Sequence, residues 1–568
     1  MAFCQNVNGF SWTVVDRLIY YVSLTLYRSL TFCNLEKNVY LCTINTRYHM
    51  AFKKSKQKSQ PDLFATASFS LPERERRYME DELSWHNEFY RNVLLNIDEE
   101  ILRPLFVDGN MGAPTKQLRI LIAMRMLKEG RGCSDEQLYE NVRFNLVWRQ
   151  AVGLFNINDE CPSIDSYYML FRRIAEYEQN NPEHVNLYKK IYQDLTAKQI
   201  KKYKIAGRTI RMDSKLIGSN IAWFSRYEII HETFRKQVPE QEAMRISDQL
   251  YRQKALDFLA EDASKTVYRS DDETLGQRLL DLGIVISHIL AMRGEGEVSL
   301  LHRVFHEQYD VDKDGNITVR DKKLVSATSV QNPNDPDAAY RSKGGKKVKG
   351  YSTNITETCD EEDKPSLITD VQVKPANAAD NGFLKDAVED TRKVTDNSID
   401  KVIVDGAYQS KENRNLASDE ENGFELVANG LQGKPSRFDL ELQDDGSLEV
   451  TDKQTAEVIT ATKVKDGQWK IAVESPKGKK SYRYFDNEAI ERSQNRQRME
   501  TIPWEERKKR NNVEATIFQY CFLTRNNKTR YRGLFKQTLQ ALARCAWINM
   551  RRLFIFDVKA ANLALQKA

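Results

Sequence analysis

Hydrophobic positions along the first third of this 568-residue chain recur at helical spacing. The segment "TKQLRILIAMRMLKEGRG" sets Leu118, Leu121, Ile122 and Met126 on one side of a helix and stops at glycine. "SDEQLYENVRFN" opens on Ser134 and Asp135, residues that cap helix starts, and "SIDSYYMLFRRIAEYE" puts Tyr167, Phe171 and Ile174 on one face with Arg172 and Arg173 on another. Residues 75–200 are therefore expected to form a helical domain, with a helix-turn-helix DNA reader and a plain helical support fitting the pattern equally. Near residue 205 the period drops to two. "KIAGRTIRMDSK" predicts a short strand with Ile210 and Met212 on one face and Asp213 at its end, and in "SIDKVIVDGAYQS" the run Val402, Ile403, Val404 delivers Asp405 at a strand end before Gly406.

Between those strands lies a long helical stretch, "EAMRISDQLYRQKALDFLAEDASKTVYR" and "ETLGQRLLDLGIVISHILAMRG", before strands resume at "KGYSTNI" and "SLITDVQV". After Asp405 come "RFDLELQ", "SLEV", "QWKIAVE" and "SYRYFD", with turns at Asp445-Gly446 and Asp466-Gly467, which predict a β insertion. The last acid of interest, Glu514 in "RNNVEATIFQYCF", sits in an otherwise apolar helical run between the basic stretches "EERKKR" and "RNNKTRYR". On one continuous helix Arg507, Arg510 and Glu514 would share a face while Val513, Ile517 and Phe518 pack inward. An ordinary Arg510–Glu514 surface pair reads the same way from spacing alone.

Composition narrows the class. The chain is 40% hydrophobic and 29% charged, enough for two or more cores. A net charge of +5 from 86 Lys+Arg and 81 Asp+Glu is too small to require a nucleic-acid partner, so local clusters carry that argument. The 8 cysteines form no C-x-x-C pair, which excludes a cysteine zinc motif and fits a reducing compartment. The apolar run "LIYYVSLTLY" at 18–27 is too short to span a bilayer, with Asp16, Arg17 and Arg28 close by. "MAFKKSKQKSQPDLF" reads as an ordinary basic start, so Met50 is the expected natural first residue and 1–74 an extension.

Three acids remote in sequence are the candidate chemistry. Asp213 and Asp405 are separated by 405 − 213 = 192 residues, and Asp405 and Glu514 by 514 − 405 = 109. Two strands ending in aspartate and a helix bearing glutamate converge carboxylates at one sheet edge, a donor set for two Mg²⁺ ions, with Mn²⁺ as substitute. Two weaker patterns fall away. "DVDKDGNITVRD" resembles a calcium loop from Asp310 to Asp321 but lacks the final glutamate and is expected to be a polar turn; His302 and His306 in "HRVFHE" lack the metalloprotease spacing and read as helix-surface residues.

Five motifs in order, "RMDSKLIGSNIAWFSRYE", "QNPNDPDAAYRSKGGKKVKGYSTNITET", "LITDVQVKPANAAD", "VIVDGAYQS" and "RNNVEATIFQYCFLTRNNKTRYRGL", resemble the DDE transposases of bacterial insertion sequences. "ILRPLFVDGNMGAPTKQLRILIAMRMLKEG" is similar to the helical domain that precedes the catalytic core in that group. The resemblance implies an α/β ribonuclease-H-like core over 201–556, a mixed sheet flanked by helices, interrupted by a helical insertion at about 225–300 and a β insertion at about 424–490, with a tail at 557–568. It implies Asp213, Asp405 and Glu514 as the acidic triad, Mg²⁺ as cofactor and DNA as partner. Further implications are a dimer or larger complex pairing two element ends, no membrane, and action in the bacterial cytosol. The family's helix carries Tyr, Arg, Glu and Lys. Here Arg507 stands at the tyrosine position and Cys521 at the lysine position. Lys215, Arg341, Lys343, Lys346, Lys347, Lys349, Arg507, Arg510, Lys528, Arg530 and Arg532, with Arg525 nearby, are the expected DNA contacts. A nuclease without strand transfer and an inactive DNA-binding remnant are the alternatives.

Overall fold

The computed structural model describes residues 52, 54, 67–107, 117–183, 186–294, 296, 298–359, 362–429, 436–474 and 480–567. Of the expected extension 1–74, the apolar run at 18–27 and the start at Met50 lie outside them, whereas Ala67–Ser70 forms a 3-10 turn and helix Glu73–Glu80 begins within it. Residues 102–107, with Phe52 and Lys54, belong to a small unit of their own, where Arg103 lies 4.6 Å over the Phe52 ring. All that follows concerns the larger unit.

Helix Leu118–Arg131 forms where the apolar spacing predicts and is buried nearly all round, with Leu121, Ile122, Met124 and Met126 inside. Gly132 ends it at φ 71°, a left-handed cap, and its N–H donates to Lys128 O. Ser134 then opens helix Asp135–Phe144 with a capping box to Gln137. Helix Ile164–Asn180 buries Tyr167, Phe171 and Ile174 as expected. Helix Leu118–Arg131 rests on the C-terminal helix Leu534–Lys567, where the Trp547 indole lies so close to Gly130 that it leaves no room for a Cβ.

The central sheet is mixed. Its strands are β1 (Thr209–Ser219), β2 (Ala339–Lys343), β3 (Lys346–Thr358), β4 (Ile368–Pro375), β5 (Lys401–Asp405), β6 (Glu425–Asn429) and the two-residue β7 (Lys528–Thr529). β3 runs antiparallel between β1 on one side and β2 and β4 on the other; β5 and β7 pair parallel to β1 at its two ends, and β6 extends the sheet parallel to β5. β1 corrects an expectation: it does not end at Asp213 but continues for six more residues to Ser219, because β3 keeps pairing with it up to Gly218. Ile210, Met212, Val402 and Val404 pack against Leu384, Ala387 and Val388 of helix Leu384–Thr395.

Two insertions interrupt this frame. Helices between Arg226 and Gln308 share a core of their own, built on Ile230, Phe234, Phe258, Leu282, Ile286 and Phe305. Helix Asp272–Arg293 is long and apolar enough to cross a membrane by length and composition, and here it buries Leu282, Val285, Ile286 and Ile289 in that core. The resemblance to a calcium loop resolves into the hairpin Tyr309–Val311/Ile317–Val319, with Arg320 paired to Asp310 at 2.6 Å. The second insertion is a five-stranded antiparallel meander from Phe438 to Asp486, whose middle strand Glu457–Lys465 was not anticipated from the sequence. Gly446 and Gly467 sit at φ 80° and 72° in the two turns that were. Phe438, Leu440, Val450, Trp469 and Phe485 cover Ile490 of helix Asn487–Thr501.

Candidate active site

Backbone pairing brings the two aspartates together. Thr209, Ile210 and Arg211 of β1 pair with Lys401, Val402 and Ile403 of β5, each pair 192 residues apart. Asp213 and Asp405 have that same offset, so they stand two residues further along neighbouring parallel strands and on one face. Asp213 Oδ1 accepts from Ser214 N at 2.8 Å, and Asp405 Oδ1 accepts from Gly406 N at 2.7 Å.

Glu514 reaches them through a guanidinium. Arg510 donates from Nη2 to Asp213 Oδ2 at 2.9 Å and from Nη1 to Glu514 Oε1 at 3.0 Å. The surface-pair reading of Arg510 and Glu514 is thus half right: the bond exists, but the arginine is itself mostly buried and bridges two of the three acids. Among the described residues no three ligand-type side chains are gathered closely enough to hold a metal ion.

Burial pushes the Asp213 carboxyl above its ordinary range, Arg510 pulls it back, and the nearby charges of Asp405 and Glu514 push it up again. Because the folded value is raised, the favourable contribution of Asp213 is full at acid pH and is lost as the pH rises through that value. Wild type should therefore lose stability relative to Asp213→Asn as the pH climbs out of the carboxylate range. Arg510→Ala should move this window upward, as read by unfolding midpoints taken across pH.

The basic run around the glutamate differs from expectation. It is not one helix. Trp504–Lys508 is a short helix of its own, a turn at Lys509 and Arg510 follows, and the glutamate helix proper is Asn511–Cys521. Arg507 therefore leaves the shared face, and its guanidinium lies 5.8 Å from the Trp504 ring. Val513 and Ile517 pack inward as expected, but Phe518 is 68% exposed, with its ring 6.1 Å from that of exposed Phe522. The buried stripe is Val513, Thr516, Ile517 and Tyr520, and residue 518 falls outside it.

Besides Arg510, four more of the expected DNA contacts are engaged within the protein, and Arg532 donates to Asn220 O at 3.4 Å. Arg341 and Lys343 pair with Asp380 at 3.1 and 2.9 Å, and that carboxylate also accepts from Ser214 Oγ at 3.0 Å. Lys349 is buried, with Nζ 3.4 Å from Phe224 O and 5.1 Å from the Trp223 ring centre. Arg530 pairs with Glu129 of the helical region at 3.4 Å. A run of cations says nothing of which strand face each occupies, so sequence could not separate these four from the rest. Lys346, Lys347, Lys528 and Arg532 are exposed. Lys215 lies on β1 two residues past Asp213, and its charge pulls down a Cys521 thiol that burial pushes up.

A buried carboxylate escaped the sequence reading altogether. Glu357 of β3 lies opposite Arg211 and bonds it at 2.6 Å. "STNITET" alternates like a strand with one wet face, whereas both faces of this strand are covered.

Residues 77–173 match a family model described as "Transposase domain (DUF772)", and residues 474–554 match one described as "Transposase DDE domain". The second match takes in the glutamate helix with Glu514; Asp213 and Asp405 lie before it. No curated protein and no solved structure gives a match. Two transposase-domain matches in one chain, the second of the DDE type, are consistent with the insertion-sequence DDE transposase resemblance that its motifs carry.

Proposed function

We infer that the protein binds the terminal inverted repeats of its own element, cuts DNA at the element boundary and joins the freed 3′ end to target DNA. The observation that carries this reading is the register of β1 against β5, which aligns Asp213 with Asp405 while Arg510 ties Asp213 to Glu514. Support for a ribonuclease-H-like core comes from the strand order β4–β3–β1–β5–β6, three antiparallel strands followed by two parallel to the first.

The chemistry of the donor set fits magnesium: hard carboxylate oxygens, that of Asp213 disfavoured as an anion by burial first and by the neighbouring acids second, with a cation already drawn between two of them. Asp213, Asp405 and Glu514 would hold the ions, with Arg510 giving up its bonds to two of them. Bound there, magnesium supplies activation of the attacking water or hydroxyl and stabilisation of the leaving oxygen. The chain's own part is to hold the three acids from a rigid sheet and a helix, and to offer Lys215, Lys346, Lys347, Lys528 and Arg532 to phosphates. No side-chain nucleophile is required. Pairing two ends calls for at least a dimer, acting in the bacterial cytosol.

A duplex with a pre-cut end, incubated with a target plasmid and Mg²⁺, separates transposase from nuclease. Joined product is the expected outcome. Cutting without joining would replace the proposal by a nuclease, and DNA binding with neither would make the protein an inactive remnant.

A further inference from the structure

Behind the three acids, Glu357 of β3 is fully buried and accepts three hydrogen bonds from three directions: from Arg211 Nε to Oε1 at 2.6 Å, and from the Thr516 hydroxyl and Arg552 Nη1 to Oε2, both at 2.7 Å. Burial pushes its carboxyl up, but Arg552, Arg211 and the Thr516 hydroxyl more than offset this and hold it below its usual range. Each partner belongs to a different part of the frame. Arg211 lies on β1 two residues before Asp213, on the same face, and its Nη1 donates to Lys509 O at 3.2 Å, just ahead of the glutamate helix. Thr516 lies two residues after Glu514 on that helix's buried face. Arg552 comes from the C-terminal helix; it also donates to Ser366 O at 2.9 Å and to the Thr516 hydroxyl oxygen.

The apolar contacts of Val513, Ile517 and Tyr520 hold the helix on the sheet, but they are non-directional and tolerate a small roll or slide. Hydrogen bonds to a buried charge are directional and costly to leave unmade. Thr516 has one proton, which goes to Glu357, while its oxygen receives Arg552, so the hydroxyl is held from both sides. We propose that Glu357 is a positioning residue: through Thr516 it fixes the roll and register of the glutamate helix over β1, so that Glu514 and Arg510 face Asp213. Buried and out of reach of substrate, it acts only through the helix. The inference rests on the reading of the three acids as the cutting site.

Thr516→Val keeps the side-chain shape and removes the hydroxyl; Thr516→Ser keeps the hydroxyl. The assay is Mg²⁺-dependent cleavage of a duplex carrying the DNA that flanks the gene, at a temperature where circular dichroism shows each variant folded. Thr516→Val should lower kcat about tenfold with KM for the duplex unchanged, the cost of a misplaced group, and Thr516→Ser should restore it. Amide exchange across 511–521 should quicken in the valine variant alone. If the valine variant does not fold, Arg552→Lys carries the same test, since it keeps the charge beside Glu357 and drops the bond to Thr516. An unchanged kcat, or a loss that serine does not repair, overturns the inference. That failure is distinct from failure of the site itself, which would show as undiminished cutting by Asp213→Ala.

Discussion

Asp213→Ala should reduce strand cleavage about a thousandfold while leaving retention of the flanking duplex in a mobility-shift assay close to wild type. The expectation follows from where the residue sits. Its backbone is held in the middle of β1, with β3 pairing across it on one side and β5 pairing just before it on the other, so truncating the side chain removes a carboxylate without freeing the strand. Because its carboxyl is disfavoured as an anion in the fold, its loss should not cost stability. Arg510 keeps Glu514 as a partner. The exposed lysines that would meet phosphate are elsewhere, on the β2–β3 hairpin and in β7. Asp405→Ala and Glu514→Ala should fall to the same floor, since groups acting as a unit are not additive. A variant of Asp213 that cuts at the wild-type rate would mean that the three acids are not the cutting site.

The largest effect on stability is expected from Glu357→Ala. Removing this carboxylate leaves Arg211, only 6% exposed, without its counter-charge and takes a partner from Arg552, a change that costs about 3–5 kcal/mol when one member of a buried ion pair is lost. Denaturant titration at neutral pH measures it. The sign of its pH dependence is set by the depressed carboxyl: the stabilisation is present above the ordinary glutamate range and is lost as the pH falls through the lower folded value. The gap between wild type and Glu357→Ala should therefore close on acidification below about pH 4. A gap that stays constant into strong acid would show that the carboxylate charge is not what holds the arginines.

How legible the site was depends on the scale of the forces that build it. The helix Leu118–Arg131 and its glycine stop, the capping serine at 134, the strand that ends at Asp405 and the turns at Gly446 and Gly467 follow from near-neighbour rules, and all are present. Periodicity misjudged Phe518, because a helix this apolar has no contrast from which to choose its buried stripe. It also ran one helix through Lys509 and Arg510, where the chain instead turns and Arg510 swings under to Asp213. The basic hairpin shows a further limit: Arg341 and Lys343 look like phosphate contacts until Asp380, 37 residues beyond Lys343, is folded against them.

What the sequence determined alone is the local grammar of helices and strands, the candidacy of three acids, and the ordered motifs that resemble insertion-sequence transposases. Only the tertiary structure decided which acids are neighbours and what stands between them. The 192-residue offset between Asp213 and Asp405 carries no meaning until β1 and β5 pair in parallel with that same offset. Likewise Glu357 is an ordinary polar residue of a strand until β1 sets Arg211 opposite it and a covering layer of helices supplies Arg552 and Thr516. Hydrogen bonds along the chain are chosen by nearest neighbours, whereas burial and charge pairing depend on what arrives from hundreds of residues away.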